Sequence, residues 1–293
     1  MQDFRMDTFL TVCGFLNYTK AAEALHITQP AVSQHIHYLE EHYGAKLFCY
    51  EGKKLRLTKE GALLCNAATT MKHDEIILHE LMARGERLRF VFGATLTIGD
   101  FVLPAKLARY LKNNPEAEVR MLVDNTETLL KKIDTGELDF AVIEGYFHKT
   151  EYDYKVYSRE HYIAVCGNSF VFRRVPETVS DLFGEHIILR ERGSGTREIL
   201  ERHMEERNCS VRDFRHITEI GSISAIKSLV AAGCGITFLY EAAAQGELER
   251  GTLRRIPLSD FKIHSNFTLV WRKNSIFDDR YLHIFDEFLG NDS

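Results

Sequence analysis

Apolar residues in the first third of the chain recur at the three-to-four-residue spacing of helices; past residue 88 they fall into short runs separated by helical stretches. In HITQPAVSQHIHYLEEHYGAKLF, from His26 to Phe48, the residues Val32, Ile36, Leu39 and Tyr43 are spaced 4, 3 and 4 apart. That spacing predicts one inward stripe of a helix. On the opposite side lie Pro30, Gln34, His37 and Glu41, flanked by Ser33 and Tyr38, with Thr28 as the expected N-cap and Pro30 close behind it. Upstream, Phe4, Thr8 and Val12 with Phe9, Phe15 and Leu16 predict a first amphipathic helix that ends near Gly14. YTKAAEALHIT predicts a short helix from about Thr19 to Leu25, where Ala21 and Ala22 are small enough for another helix to approach closely. Two helices joined by a turn of about three residues, the second one polar outward, describe a helix-turn-helix. KLFCYEGKKLRLT then alternates around Glu51-Gly52, as a β-hairpin wing carrying Lys53, Lys54 and Arg56 would.

From Thr58, the expected cap, to about Arg87 the period is again helical. Leu64, Met71 and Leu78 recur every seven residues, with Ala67 or Ala68 and Leu81 or Met82 supplying most of a second row. Such a stripe suits a helix that pairs with a copy of itself, although Asp74 and Glu75 interrupt it. At RLRFVFGAT the period becomes that of a strand. Strands at 89–94, 118–123 and 138–143, separated by helices at 101–113 and 127–135, form a βαβαβ unit and imply a parallel sheet. A second set follows: strands near 161–167 and 186–190, helices at 195–207 and 222–232, and a strand at 235–239. NFTLVWRK is one further strand, and residues 278–289 form a last helix.

At 293 residues the chain has room for two or three cores, and 45% hydrophobic with 27% charged residues is the composition of a folded protein. No apolar run approaches the roughly 18 residues that span a membrane, and MQDFRMDTFL lacks the features of a secretory signal, so the expected location is the cytoplasm. The six cysteines include no C-x-x-C pair, which points to neither a disulfide framework nor a zinc site. His35 and His37, two apart on a helix, point to different sides and cannot share an ion. No metal and no cofactor are expected. A net charge of −5 means that any binding of nucleic acid uses a local patch.

The stretch AAEALHITQPAVSQHIHYLEEHYGAKLFCYEGKKLRLTKEG, Ala21 to Gly61, closely resembles the DNA-binding region of LysR-type transcriptional regulators: turn, helix, wing and linker occur in order. The chain length and the βα pattern after residue 89 are similar as well. The resemblance implies an α/β fold class with an N-terminal winged helix-turn-helix, a long dimerising linker helix, and a two-lobed effector domain like that of periplasmic binding proteins. Carried onto this chain, residues 1–57 bind DNA, 58–88 form the linker, and 89–293 bind the effector, with lobe one at 89–160 and 266–293 and lobe two at 161–265. GELDFAVI, 136–143, resembles the strand before the inter-lobe hinge. The implied partners are a double-stranded DNA operator, a small effector, and further copies of the chain in a homodimer or homotetramer. The chain departs from the family at Tyr50, where an arginine is common on the wing, and at His37, where a basic residue is frequent. Residues 1–60 hold seven Lys/Arg against seven Asp/Glu, so DNA affinity must lean on dimerisation and on a few contacts.

Gln29, Pro30, Ser33 and Gln34 are the candidates for base reading, since a Gln amide pairs with adenine N6 and N7 and an apolar group reads the thymine methyl. Thr28 and His37 flank them, and Lys53, Lys54 and Arg56 suit phosphates. The second chemical signal is LRERGSGTREIL, 189–200, where Gly193, Ser194, Gly195 and Thr196 form a turn at a helix start. Backbone N–H groups and hydroxyls converge there on the positive end of the helix dipole, which favours an anion. The turn lacks the pattern of a nucleotide loop and resembles the effector-binding loop of a LysR branch with sulfur- and carbon-assimilation members. Thr95, Leu96 and Thr97 after the first strand, with Ser222 and Ser224 in GSIS, complete the expected site for one small anion between the lobes. Gly193-Ser194-Gly195 is not a hydrolase elbow, and no catalytic residue is assigned. The alternatives are a cytoplasmic solute-binding or enzymatic α/β protein with an incidental helical N-terminus, and a thiol-based redox-sensing regulator using Cys166 and Cys209.

Overall fold

A computed structural model describes residues 3–84 and 89–290, and the chain divides into two compact units. The first contains α1 (Phe4–Phe15), α2 (Tyr18–Leu25), α3 (Gln29–Tyr43), a hairpin of β1 (Phe48–Glu51) and β2 (Lys54–Leu57), and α4 (Lys59–Arg84). Side chains cap each helix start: Asp3 accepts from Arg5 N, Asn17 from Lys20 N, Thr28 from Ala31 N, and Thr58 from Gly61 N. Each bond satisfies an amide that the first turn leaves unpaired. The core joins Phe9 and Val12 of α1, Ala21 and Ala22 of α2, and Val32, Ile36 and Leu39 of α3 with Leu47 before the wing and Leu55 within it. Tyr43 departs from the expected stripe: it is 48% exposed, because α3 stops at Gly44 in the left-handed conformation and the ring meets His42 instead. Phe4, Phe15 and Leu16 are likewise exposed, and Met6, Thr8, Phe9 and Val12 form the buried face of α1.

Along α4, Leu64 turns toward the winged-helix core, so the exposed apolar row runs through Leu63, Ala67, Met71, Leu78 and Met82. Asp134–Gly136 and Arg272–Phe277 complete this unit. Arg272, almost fully buried, donates to Asp134 Oδ1 (2.7 Å), to the Asn66 carbonyl (3.1 Å) and to Thr70 Oγ1 (3.3 Å). Asp74 accepts from Ser275 Oγ (2.6 Å) and Ile276 N (2.9 Å) and pairs with His73 (3.1 Å). Burial opposes its charge, yet these bonds hold the carboxyl below the ordinary range. The seven-residue pattern therefore breaks at Asp74 because the helix binds another segment there. The expected continuation of this helix to Arg87 lies outside the described residues.

The second unit holds β3 (Arg89–Ala94), α5 (Leu103–Asn113), β4 (Glu118–Val123), α6 (Thr126–Asp134), β5 (Phe140–Ile143), β6 (Tyr152–Gly167) and β7 (His186–Leu189). There follow α7 (Gly195–Glu205), β8 (His216–Glu219), α8 (Ile223–Ala231), β9 (Ile236–Tyr240), α9 (Glu241–Glu249), β10 (Leu253–Arg255), β11 (Ile263–Arg272) and α10 (Asp278–Leu289). Among the described residues the strands join in the order β4-β3-β5-β11-β6-β9-β7-β8, with β10 beside β6. β3 runs parallel to β4 and β5, and β7 parallel to β8 and β9. β11 is antiparallel to β5, and β6 to β9, so two parallel halves are joined through two long strands, making two lobes. The first lobe is cored by Phe90, Phe92 and Phe140 against Tyr110 and Phe288. The second is cored by Ile188, Ile223, Ile226, Val230 and Leu239.

Candidate functional site

The outer face of α3 presents Gln34 and His37 to solvent, with Thr28, Gln29 and Pro30 exposed at its start. Gln29 donates to Ser33 Oγ (2.9 Å), and His37 pairs with Glu41 (3.2 Å). His35 turns inward, its Nδ1 3.0 Å from Thr8 Oγ1. On the wing, Arg56 is paired with Glu51 (2.7 Å), whereas Lys53 and Lys54 at the tip are exposed and have no acidic partner among the described residues. Arg5, paired with Asp3 (2.7 Å), lies 3.9 Å from the Tyr38 ring centroid beside this face.

The second cluster forms where parallel strands end, the usual ligand position in open α/β sheets. Thr95, Leu96 and Thr97 leave β3 for a π-helical turn at Ile98–Val102 that leads into α5. Glu144 and Gly145 leave β5, and Arg190 to Ser194 connect β7 to α7. Glu144, 1% exposed, is the centre: its Oε1 accepts from Thr196 Oγ1 (2.6 Å) and from Thr97 Oγ1 (3.2 Å). Thr126 donates to the Glu144 carbonyl (2.9 Å), and the Tyr162 hydroxyl donates to the Thr196 carbonyl (2.8 Å). Two glycines permit the approach. A Cβ on Gly195 would stand 2.6 Å from the Glu144 carbonyl oxygen, and Gly145, at φ +92°, lies against Gly195 Cα.

Several buried polar atoms in this cluster lack a hydrogen-bond partner among the described residues: Glu144 Oε2, Thr95 Oγ1, Ser194 Oγ and Arg190 Nη1. The remaining guanidinium nitrogens of Arg190 bond Glu191 (2.8 and 2.7 Å). Four such atoms at one set of strand ends are what a polar ligand would satisfy. Leu96 packs on the apolar cluster of Ile223 and Ile226. Ser222 is occupied as the cap of α8, accepting from Ala225 N (3.3 Å), and both it and Ser224 are exposed, with no hydrogen bond to Glu144 or its threonines. Gly193, at φ +85°, is exposed in the turn. The structure thus brings Thr95, Thr97 and Ser194 to Thr196 together, while Ser222 and Ser224 stand at the start of α8 beside them, where Gly221 faces the Glu191 carboxylate and Leu96 packs on the Ile223 cluster. Cys166 is buried in β6, and burial pushes its thiol up, away from reactivity; Cys209 donates to the Arg207 carbonyl (3.5 Å).

Burial pushes the Glu144 carboxyl up to about 7, against the hydroxyls of Thr196 and Thr97 and the charge of Arg190, which pull it down. A carboxyl raised in the fold favours the native state when protonated. That contribution is complete below the ordinary value of 4.5 and is lost as pH rises through about 7. Between about pH 5 and 8 the thermal midpoint of Glu144→Gln is therefore expected to fall less with rising pH than that of the native protein. Parallel pH curves would refute this assignment.

Two family models match the chain: the bacterial regulatory helix-turn-helix protein of the lysR family over residues 5–62, and the LysR substrate binding domain over 83–287. The uncharacterized HTH-type transcriptional regulator YeiE of Escherichia coli K12 is 29% identical, covering 86% of this chain and 85% of that protein. The HTH-type transcriptional regulator CysL of Bacillus subtilis is 27% identical over 90% and 89% of the two. Full-length LysG from Corynebacterium glutamicum, solved with bound effector Arg, is similar in fold, with a TM-score of 0.62 at 16% identity over 99% of this chain and 97% of that one.

Proposed function

The chain belongs to the LysR family of DNA-binding transcriptional regulators, which are not enzymes, and from that premise we propose an operator-specific regulator switched by a small anion held between its two lobes. The division of labour follows the chain: residues 1–57 read duplex DNA, 58–88 pair with a second copy, and 89–293 sense the effector, with lobes at 89–160 plus 266–293 and at 161–265. As a DNA-binding regulator it is placed by this reading in the cytoplasm. No helix among the described residues is long and apolar enough to cross a membrane. The observation that carries the anion is the start of α7, where free N–H groups and the dipole meet the unpaired Ser194 hydroxyl and Arg190 Nη1. A thermal-shift screen of small phosphate, carboxylate and sulfur oxyanions tests it, since a ligand of the native state raises its apparent stability. Stabilisation by cations or neutral sugars alone would overturn the reading.

On the DNA side, Gln34 is free to offer its amide to a base edge, and Lys53 and Lys54 are free to meet phosphates, whereas Arg56 must first leave Glu51. Gln34→Ala is expected to weaken binding to the specific operator by about 1–3 kcal/mol and binding to random duplex far less. Equal losses on both DNAs would remove Gln34 from base reading. Lys54→Ala should weaken both and reduce the salt slope by about one per protomer. An unchanged slope in gel shifts across a salt series would count against the wing.

A further inference from the structure

Donors dominate the cluster at the strand ends, yet at its centre stands a group of the opposite kind. Glu144 is buried among Thr97, Thr126 and Thr196, one of its carboxyl oxygens accepts two hydroxyl protons, and the other has no partner. An ionised carboxylate only accepts hydrogen bonds. A ligand held by the α7 amides, Ser194 and Arg190 brings negative charge toward that carboxylate, so the two anions repel unless a proton lies between them. Resting on the reading that this cleft holds an anion, we infer that Glu144 makes the site selective for anions carrying a hydrogen-bond donor of their own, protonated oxyanions and hydroxy-acids, over anions that only accept.

Sulfate and hydrogen phosphate separate the two classes cleanly: they share shape and size, but near neutral pH only the phosphate bears a proton. Hydrogen phosphate can donate to Glu144 Oε2 while its other oxygens face the donors. Sulfate can bind only if Glu144 itself takes up a proton. Arg190 from the β7–α7 connection, Tyr162 from β6 and Tyr240 from β9 are electrostatically coupled to Glu144, and the Glu198 carboxylate of α7 stands against Gly145 beside it. Burial holds both phenols protonated far into the alkaline range, whereas it pushes the Glu144 carboxyl up to about 7.

The test is isothermal titration of the full-length protein with sodium phosphate and with sodium sulfate at matched ionic strength from about pH 6 to 8. Hydrogen phosphate is expected to bind at least about tenfold more tightly than sulfate at the upper end, because a buried acceptor is left unpaired by the wrong ligand. Sulfate affinity should fall by up to about tenfold per pH unit above the titration of Glu144, the signature of one proton taken up. Glu144→Gln supplies an amide donor and should bring the two affinities to within about threefold by admitting sulfate. Should that variant not fold, the comparison of the two anions on the native protein decides alone. Equal binding of both anions by the native protein, or a preference unchanged in Glu144→Gln, overturns the inference and leaves the anion site standing. Binding of neither anion to the native protein at millimolar concentration overturns both.

Discussion

Gly195→Asp is expected to abolish the response of operator affinity to the anion identified by the screen, with ligand affinity reduced by about a hundredfold or more. Two effects add. A side chain at this position meets the Glu144 carbonyl oxygen at 2.6 Å, so α7 must move away from the end of β5 and carry Thr196 with it. The new carboxylate then sits at the positive end of α7, where it competes with the ligand for the same amides and repels it. Gly195→Ala carries the steric effect alone and is expected to fall between the variant and the native protein. A ligand shifts a regulator only by its difference in affinity for two lobe arrangements, so losing that affinity removes the switch. Gel shifts with and without the anion measure the response, and circular dichroism shows whether each variant is folded. If both folded variants bind the anion and respond as the native protein does, the GSGT turn is a helix cap and the effector site lies elsewhere.

Much of this arrangement was legible from local pattern. The helix-turn-helix could be read because its parts are set by neighbours in sequence: Thr28 caps α3, and Ala21 and Ala22 make the crossing. The βαβαβ half was equally readable, since Phe90, Phe92 and Phe140 sit in short apolar runs of strand period. β8 and β10 were not, because strands of four and three residues with exposed positions carry too little periodicity. Glu144 was missed for a different reason. A carboxylate after FAVI reads as the first solvent-exposed residue past a strand, and its burial arises only when Thr97 and Thr196, 47 and 52 residues away, close over it. The one local hint was Gly145 beside it, a backbone position needing φ > 0 next to a charge.

Met71→Glu with Leu78→Glu is expected to halve the particle mass in solution and to weaken operator binding by about a hundredfold to ten-thousandfold, the avidity lost when two half-site contacts become independent. The reason lies on α4, which uses two faces differently. Asn66, Thr70 and Asp74 are taken up by bonds to Arg272, Ser275 and Ile276, so that side of the helix is already satisfied within the unit. Leu63, Ala67, Met71, Leu78 and Met82 face solvent, and Met71 at 61% and Leu78 at 43% exposure are the central members of the row. An apolar row on a long helix is stabilised by a like row from a second copy, at about 1.5–3 kcal/mol for each large side chain fully buried. A dimer so formed holds two α3 helices at a fixed spacing, which must match about one turn of DNA or a multiple of it. Two glutamates per helix replace that gain with four mutually repelling charges per pair, while the Arg272 and Asp74 contacts stay intact. Light scattering reads the mass and a gel shift reads the affinity. A double variant with native mass and native operator affinity would show that the copies meet through another surface, and that the exposed row on α4 serves some other contact.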